Sequence, residues 1–286
     1  MIEIPGLEPR YREHLKRIEA FRLMDDDFMN ACFEGSPECT QLVLCILLEK
    51  PDLKVLEVHT QVHLLNLGKR ALRLDVLATD GSGKMYNIEI QRDDRGAGKK
   101  RARLHSSMLD AKWTEKGTNP DEMPETFVIF ITENDVLGRG MPVYHVERCV
   151  LEFDDLFGDG AHILYANGAY RGDTPIGRLM HDFSCSKPSE MHYDVLAKRV
   201  KFFKESEKGV VTMCKAIEEV SKTAYEEGRE EGREEGRAEG REEGREEGRE
   251  ERSIEFARDL LQIEKLPPEK VARLARLPLE KVLTLC

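Results

Sequence analysis

A mixed α/β or α+β fold is predicted by three observations in the first part of the chain. Two alternating stretches, 71–79 and 85–91, flank Asp80-Gly81-Ser82-Gly83-Lys84 and read as a β-hairpin. Residues 99–115 contain neither Gly nor Pro and read as a helix. The apolar run 127–131 (FVIFI) reads as a strand buried on both faces. The other elements follow in order. Residues 41–50 (QLVLCILLEK) form a short apolar helix stopped by Pro51, whose ring and missing N–H cannot continue it. Residues 55–65 alternate around β-branched side chains and predict a strand. Further strands are expected at 143–153 and 162–166, and helices at 175–183 and 191–204.

The chain has 286 residues, of which 40% are hydrophobic and 35% charged. The charge excess is local. Residues 226–252 repeat Glu-Glu-Gly-Arg, with thirteen Glu and seven Arg and a net of −6; residues 253–286 carry +1, which leaves −6 of the total −11 on residues 1–225. Three regions result: a globular domain 1–225, a charged repeat 226–252 and a small helical tail 253–286. Such a balance excludes a general nucleic-acid coat protein, which needs a basic surplus; nucleic acid would have to be held by a local patch. No run approaches the ~20 apolar residues of a membrane span, and the N-terminus lacks the apolar core of a signal peptide. The seven cysteines are odd in number and form no C-x-x-C pair. They read as buried thiols of a reducing compartment, so a cytoplasmic protein is expected.

The hairpin holds the chemistry. Alternation puts Leu72, Leu74 and Val76 on one face and Arg73 and Asp75 on the other. It likewise separates Tyr86, Ile88 and Ile90 from Asn87, Glu89 and Gln91. A turn centred on Ser82 sets Thr79 opposite Met85, Asp75 opposite Glu89 and Arg73 opposite Gln91. Opposed side chains lie ~5 Å apart at Cβ, and like charges there destabilise a sheet unless a cation intervenes. Mg²⁺, with its preference for oxygen ligands, suits the Asp75–Glu89 pair; a solvated face offset by Arg73 or Arg92 is the plainer alternative. Residues 92–103 follow with six basic side chains (Arg92, Arg95, Lys99, Lys100, Arg101, Arg103) and two acidic ones. This patch could hold phosphates beside a metal, or could be a solvated helix start.

The string from Asp75 to Glu89-Ile90-Gln91 resembles the PD-(D/E)XK nuclease superfamily. It is most similar to the branch called recombination-promoting nucleases or PD-(D/E)XK family transposases. The likeness includes Asp25-Asp26-Asp27-Phe28-Met29, Leu74-Asp75-Val76, Asn87-Ile88-Glu89-Ile90-Gln91 and Lys100-Arg101-Ala102-Arg103. It continues through Pro124-Glu125-Thr126-Phe127-Val128-Ile129-Phe130-Ile131-Thr132-Glu133-Asn134-Asp135 and Leu179-Met180-His181-Asp182-Phe183, so it covers roughly residues 20–210. It implies an α/β, restriction-endonuclease-like core, a mixed central sheet flanked by helices, and hydrolysis of DNA phosphodiesters dependent on Mg²⁺ or Mn²⁺. Asp75 and Glu89, with the backbone carbonyl of Ile90, map onto the metal ligands. Asp26 or Asp27 would complete the set or cap the first helix.

Gln91 stands where the superfamily usually carries Lys, so the missing charge must come from elsewhere, with Lys100 or Arg101 as candidates. Arg92, Lys99, Lys100, Arg101 and Arg103 are the expected DNA contacts. A non-catalytic DNA-binding or assembly protein that keeps the fold is the rival reading, favoured by the acidic net charge and by Gln91. The scattered histidines show no metal spacing, and His105 alone stands out, four residues after Arg101 on the same helix. Six glycines at four-residue spacing each cost ~1 kcal/mol in a helix. The repeat is therefore expected to be a marginal, solvated helix or spacer, or a self-association helix making a homo-oligomer through 226–286.

Overall fold

A computed structural model of the chain describes residues 11–64, 72–114, 117 and 119–285. Leu65, Ala71 and Glu115, expected ends of two strands and a helix, lie outside the described residues. The chain forms two compact units, Met1–Ile217 and Glu218–Cys286.

The first unit opens with helices α1 (Arg12–Ala20), α2 (Asp26–Phe33) and α3 (Pro37–Leu47). Strands β1 (Val55–Leu64), β2 (Leu72–Asp80) and β3 (Met85–Gln91) follow, then helix α4 (Lys99–Trp113) and strand β4 (Thr126–Thr132). Next come β5 (Val143–Val146), β6 (Cys149–Val150), β7 (Asp155–Leu156), β8 (Ala161–Asn167), α5 (Pro175–Ser184) and α6 (Asp194–Glu205). Helix α7 (Glu207–Gln262) begins in this unit. The fold is α/β. Among the described residues, a mixed six-stranded sheet has the order β1-β2-β3-β4-β8-β5, and β6 pairs with β7 in a separate ribbon. The long strand expected at 143–153 is thus divided, with its second part turned away from the sheet.

All seven residues of β4 are buried. Phe127, Ile129 and Ile131 join the larger core, while Val128 and Phe130 join the smaller one. Helices α1, α2, α3, α5 and α6 contribute to the larger core, and α4 covers the opposite face through Ala102, Met108 and Leu109. β4 is parallel to β3 and β8, which needs connections long enough to cross over the sheet. Helix α4 serves as the first of these.

The hairpin turn forms around Asp80. Its Oδ1 accepts from Ser82 N at 2.8 Å and Lys84 N at 3.0 Å, and its Oδ2 accepts from the Tyr86 hydroxyl at 2.7 Å. Gly83 adopts a left-handed φ of +84°, which a side chain would resist. The register runs from Thr79↔Met85 to Val76↔Ile88, as the turn centre predicts. One expectation fails here. Leu72 and Leu74 pack in the smaller core but Val76 in the larger one, although all three share parity. The alternation switches at Asp75. On β1, Val58 and Val62 change sides in the same way, across Gln61 at a φ of +52°. A twist at this level breaks the period of two. Beyond it Arg73 pairs with His63 of β1, not with Gln91.

Lys204 on α6 is buried, and its ammonium donates to the carbonyls of Glu19 (2.9 Å), Phe21 (2.5 Å) and Ser186 (2.5 Å). It closes the C-terminal end of α1 and sits 5.4 Å over the Phe28 ring. Burial lowers its pKa to about 8.

Helix α7 runs unbroken through the charged repeat. It is anchored in the first unit by Val210, Met213, Cys214 and Ile217, and in the second by Ala257. Nucleation is the costly step of helix formation, and packed ends supply it. Helices α8 (Pro268–Ala275) and α9 (Leu279–Leu283) follow, with prolines at their starts, and build a small core from Val271, Ala275, Leu277 and Val282. No helix is long and apolar enough to cross a membrane among the described residues.

Replacing Lys204 with Met leaves three carbonyls without their donor. Unfolding of Lys204→Met by urea, followed through the single tryptophan Trp113, is expected to show a loss of about 2 kcal/mol; an unchanged midpoint would show that the three bonds add nothing net.

Candidate active site

The β2–β3 ladder ends at Val76↔Ile88, while β3 continues beside β4 as far as Gln91↔Thr132. The two strands part there, and carboxylates fill the fork. Asp75 Oδ2 accepts from Ile90 N at 3.0 Å, and Glu89 Oε1 accepts from Asp75 N at 3.2 Å. Each acid therefore satisfies a backbone N–H that the ladder has released. The remaining oxygens, Asp75 Oδ1 and Glu89 Oε2, make no hydrogen bond to the described residues. Asp75 is 6% exposed and Glu89 1%. Burial first, then the Glu89 charge, holds the Asp75 carboxyl well above the usual carboxylate range. Two hard oxygens, buried and mutually repelling, fit a divalent cation by their donor chemistry.

Asp26 opens α2, one residue after the N-cap Asp25. Its pKa is raised by burial and by Asp27, with Glu89 adding to the shift and Arg73 opposing it. Arg73 also lowers the Asp75 pKa. Among the described residues, Arg73 on the exposed start of β2 is a cation that acts on both acids. Lys100 and Arg101, the expected sources of that charge, lie on the exposed side of α4. Asp26, Asp27, Ile90 and Gln91 share a cleft of about 380 Å³. The Gln91 amide lies against Gly96, where a β-carbon would come within 1.7 Å of Oε1 and would turn the amide aside.

Arg92 does not stand free. It pairs with Asp25 at 2.8 Å and Glu133 at 3.3 Å, while Arg22 bonds Glu133 at 2.8 Å and donates its backbone N–H to Asp25. This four-residue network ties α2 and the end of β4 to the chain leaving β3. Lys99, Lys100, Arg101 and Arg103 are exposed, and no ion pair is formed by them among the described residues. Nothing is described of the Arg95 side chain.

Sequence reasoning singled out His105 for its place on a helix face, and its contact lies elsewhere. It is fully buried, with Nδ1 3.1 Å from Asn87 Nδ2 and 3.4 Å from Glu89 Oε1. Asn87 Oδ1 and His105 Nε2 are buried without partners. Turning the Asn87 amide over would let Oδ1 accept from Nδ1–H and would leave Nδ2 where the oxygen now lies. His181 and His192 counted among the scattered histidines without metal spacing; with Asp182 they come together through a loop, their ligating atoms within 4.8 Å of one another. They are the only such trio of His, Cys, Asp or Glu among the described residues; Asp26, Asp75 and Glu89 do not form one without an ion between them.

Comparison with protein-family models, with curated proteins and with solved structures returned no match to this chain.

The raised Asp75 pKa sets the sign of a stability effect. The folded state binds this proton more tightly than the unfolded one, so stability falls as pH rises above 4 toward the folded pKa. Asp75→Asn keeps an acceptor for Ile90 N and removes the charge. It is expected to be more stable than the wild type at pH 7 by about 1 kcal/mol or more, with the gain shrinking toward pH 4. Urea unfolding at several pH values checks this. A variant less stable at pH 7 would show that the ionised acid holds the fork together.

Proposed function

We propose that the chain is a metal-dependent endonuclease hydrolysing DNA phosphodiester bonds, with a restriction-endonuclease-like core of the transposase-like, recombination-promoting PD-(D/E)XK kind. The observation that carries this reading is the buried Asp75–Glu89 pair at the fork of β2 and β3. One oxygen of each acid satisfies a backbone N–H of the fork, but a neutral side chain could accept those bonds as well, so a ligand is what gives two buried acids a use there.

Asp75, Glu89 and the Ile90 carbonyl, joined by Asp26, would hold Mg²⁺ or Mn²⁺. When bound, the ion supplies an acidified water and a polarised phosphate oxygen. The protein's residues divide the other tasks. His105 orients Glu89 from the sheet face that α4 covers. Gln91, beside Asp26, positions a water by hydrogen bonding but brings no charge. Arg73 opposes the negative charge that develops on the phosphate. The exposed Lys99, Lys100, Arg101 and Arg103 grip backbone phosphates at the start of the helix that carries His105. Arg92 is already engaged by Asp25 and Glu133, so it holds the cleft rather than the DNA.

One active centre cuts one strand, so a double-strand break calls for two copies. Residues 226–286 are the proposed means of pairing them.

Supercoiled plasmid incubated with the full chain and Mg²⁺ or Mn²⁺ tests these roles together. Cleavage is expected, and its loss in Asp75→Asn and Glu89→Gln. Combined neutralisation of Lys99, Lys100 and Arg101 should weaken DNA binding and reduce the slope of log affinity against log salt by about 2 to 3. A chain cut after Tyr225 should yield nicked rather than linear product. Tight, salt-dependent DNA binding without cleavage by any metal would favour the rival, a non-catalytic DNA-binding protein on the same fold.

A further inference from the structure

A second cluster of ligating side chains lies outside the acid fork. His181 and Asp182 sit near the end of α5, and His192 lies in the segment before α6. The rings of His181 and His192 meet edge to face with centroids 4.7 Å apart. Asp182 is fully buried. Its Oδ1 accepts from His192 N at 2.8 Å and its Oδ2 from Tyr193 N at 2.8 Å, so the segment is folded back onto this carboxylate. Those two bonds account for Asp182 in the fold. They do not account for the imidazoles.

His181 Nδ1 lies 3.2 Å from Asp182 Oδ1. An ionised carboxylate can only accept, so Nδ1 carries the proton and the lone pair is left on Nε2. This carboxylate–histidine arrangement fixes the tautomer and raises the basicity of a metal-ligating ring. The His181 side chain is 38% exposed, so its ring is reached from solvent. His192 is exposed, and its ring forms no hydrogen bond among the described residues. Both rings line a cleft of about 360 Å³ together with Asp173 and Arg178.

The nearby cations are already engaged. Arg178 pairs with Asp173 at 3.0 Å, and Arg171 is bound to the Gly168 and Tyr170 carbonyls and to Ser184 Oγ. Gly177 lets the Gly172 loop close onto α5, since a β-carbon there would come within 1.8 Å of the Gly172 carbonyl oxygen. The pocket is thus a built one, with both imidazoles unclaimed by its arginines, Arg178 paired with an acid and Arg171 held by neutral acceptors.

We propose that His181 and His192 bind one divalent transition ion of the Zn²⁺ class, with Asp182 orienting His181, and that the ion clamps the end of α5 to the segment before α6. Imidazole nitrogens favour Zn²⁺, Ni²⁺ or Cu²⁺ over Mg²⁺, so this site and the oxygen-lined fork select different ions. The remaining coordination positions are open to water. The clamp does not depend on the nuclease reading.

The test is titration of the full chain with ZnCl₂ against a chromophoric chelator, in excess Mg²⁺ to occupy the fork. One Zn²⁺ per chain is expected. His181→Ala and His192→Ala should each weaken it at least about tenfold, and the double variant should abolish it. Asp75→Asn with Glu89→Gln should leave it unchanged. Correlation of ring nitrogens with ring protons by NMR on the unaltered chain provides a check that needs no variant, since Zn²⁺ should move the His181 and His192 signals first. No stoichiometric binding, binding that survives the double histidine variant, or binding lost with the two acids would each overturn the proposal.

Discussion

Two carboxylates are held in a fork where water hardly reaches them, and much of the first unit can be understood as the means of keeping them there. Asp75 and Glu89 repel each other, and burial deprives both of solvation. Neither would stay in place unless backbone geometry required it. The geometry comes from β3, which is bound along its whole length to β4 while β2 leaves it at Val76. The N–H groups of Asp75 and Ile90 lose their ladder partners at that point, and the two acids replace them. Two hydrogen bonds from the backbone thus hold side chains whose charged forms burial and mutual repulsion disfavour. The fork is strained in its electrostatics and satisfied in its hydrogen bonds.

The surrounding elements support that balance from both faces. On one face, α2 brings Asp26 toward Glu89, and the Arg22–Asp25–Arg92–Glu133 network fixes α2 against the end of β4. Lys204 secures the chain just before α2 by binding the Phe21 carbonyl. On the other face, α4 packs on the smaller core and delivers His105 to Glu89 while turning its lysines and arginines outward. Phe130 of β4 lies beneath His105, with the ring centroids 5.5 Å apart. The most buried strand of the sheet is therefore the floor of the site. Polar groups confined this closely are costly to leave unpaired, and such costs gather where a ligand is handled.

Much of this was legible in the sequence because it depends on local rules. The Asp80–Lys84 turn set the register as far as Val76↔Ile88, one pair short of Asp75 and Glu89, which meet through side-chain bonds to the backbone instead of as a ladder pair. The unbroken FVIFI run marked the strand buried on both faces. Other features had no local sign. The switch of faces at Asp75 follows from a twist shared with Gln61 on a neighbouring strand, so strict alternation misplaced Val76 relative to Leu74. Arg92 counted as a free positive charge until two acids, 67 and 41 residues away along the chain, were seen to claim it. His105 was noticed for its spacing from Arg101, whereas its contacts are with Asn87 and Glu89 of β3, on the sheet face that α4 covers. His181 and His192 are brought together by a buried aspartate that folds the segment between them, and no spacing rule anticipates that. The glycine repeat was expected to weaken its helix, but packed ends keep α7 continuous.

The central claim is that Asp75 and Glu89 bind one divalent ion between them. Anomalous diffraction from crystals grown with Mn²⁺ tests it most directly, because manganese can be located without assuming any ligand. The account predicts a single anomalous peak in the β2–β3 fork, about 2.1 to 2.2 Å from an oxygen of each acid. A fork without a peak, in crystals where Mn²⁺ is bound elsewhere or where Asp75 and Glu89 are bridged by a proton alone, would contradict it.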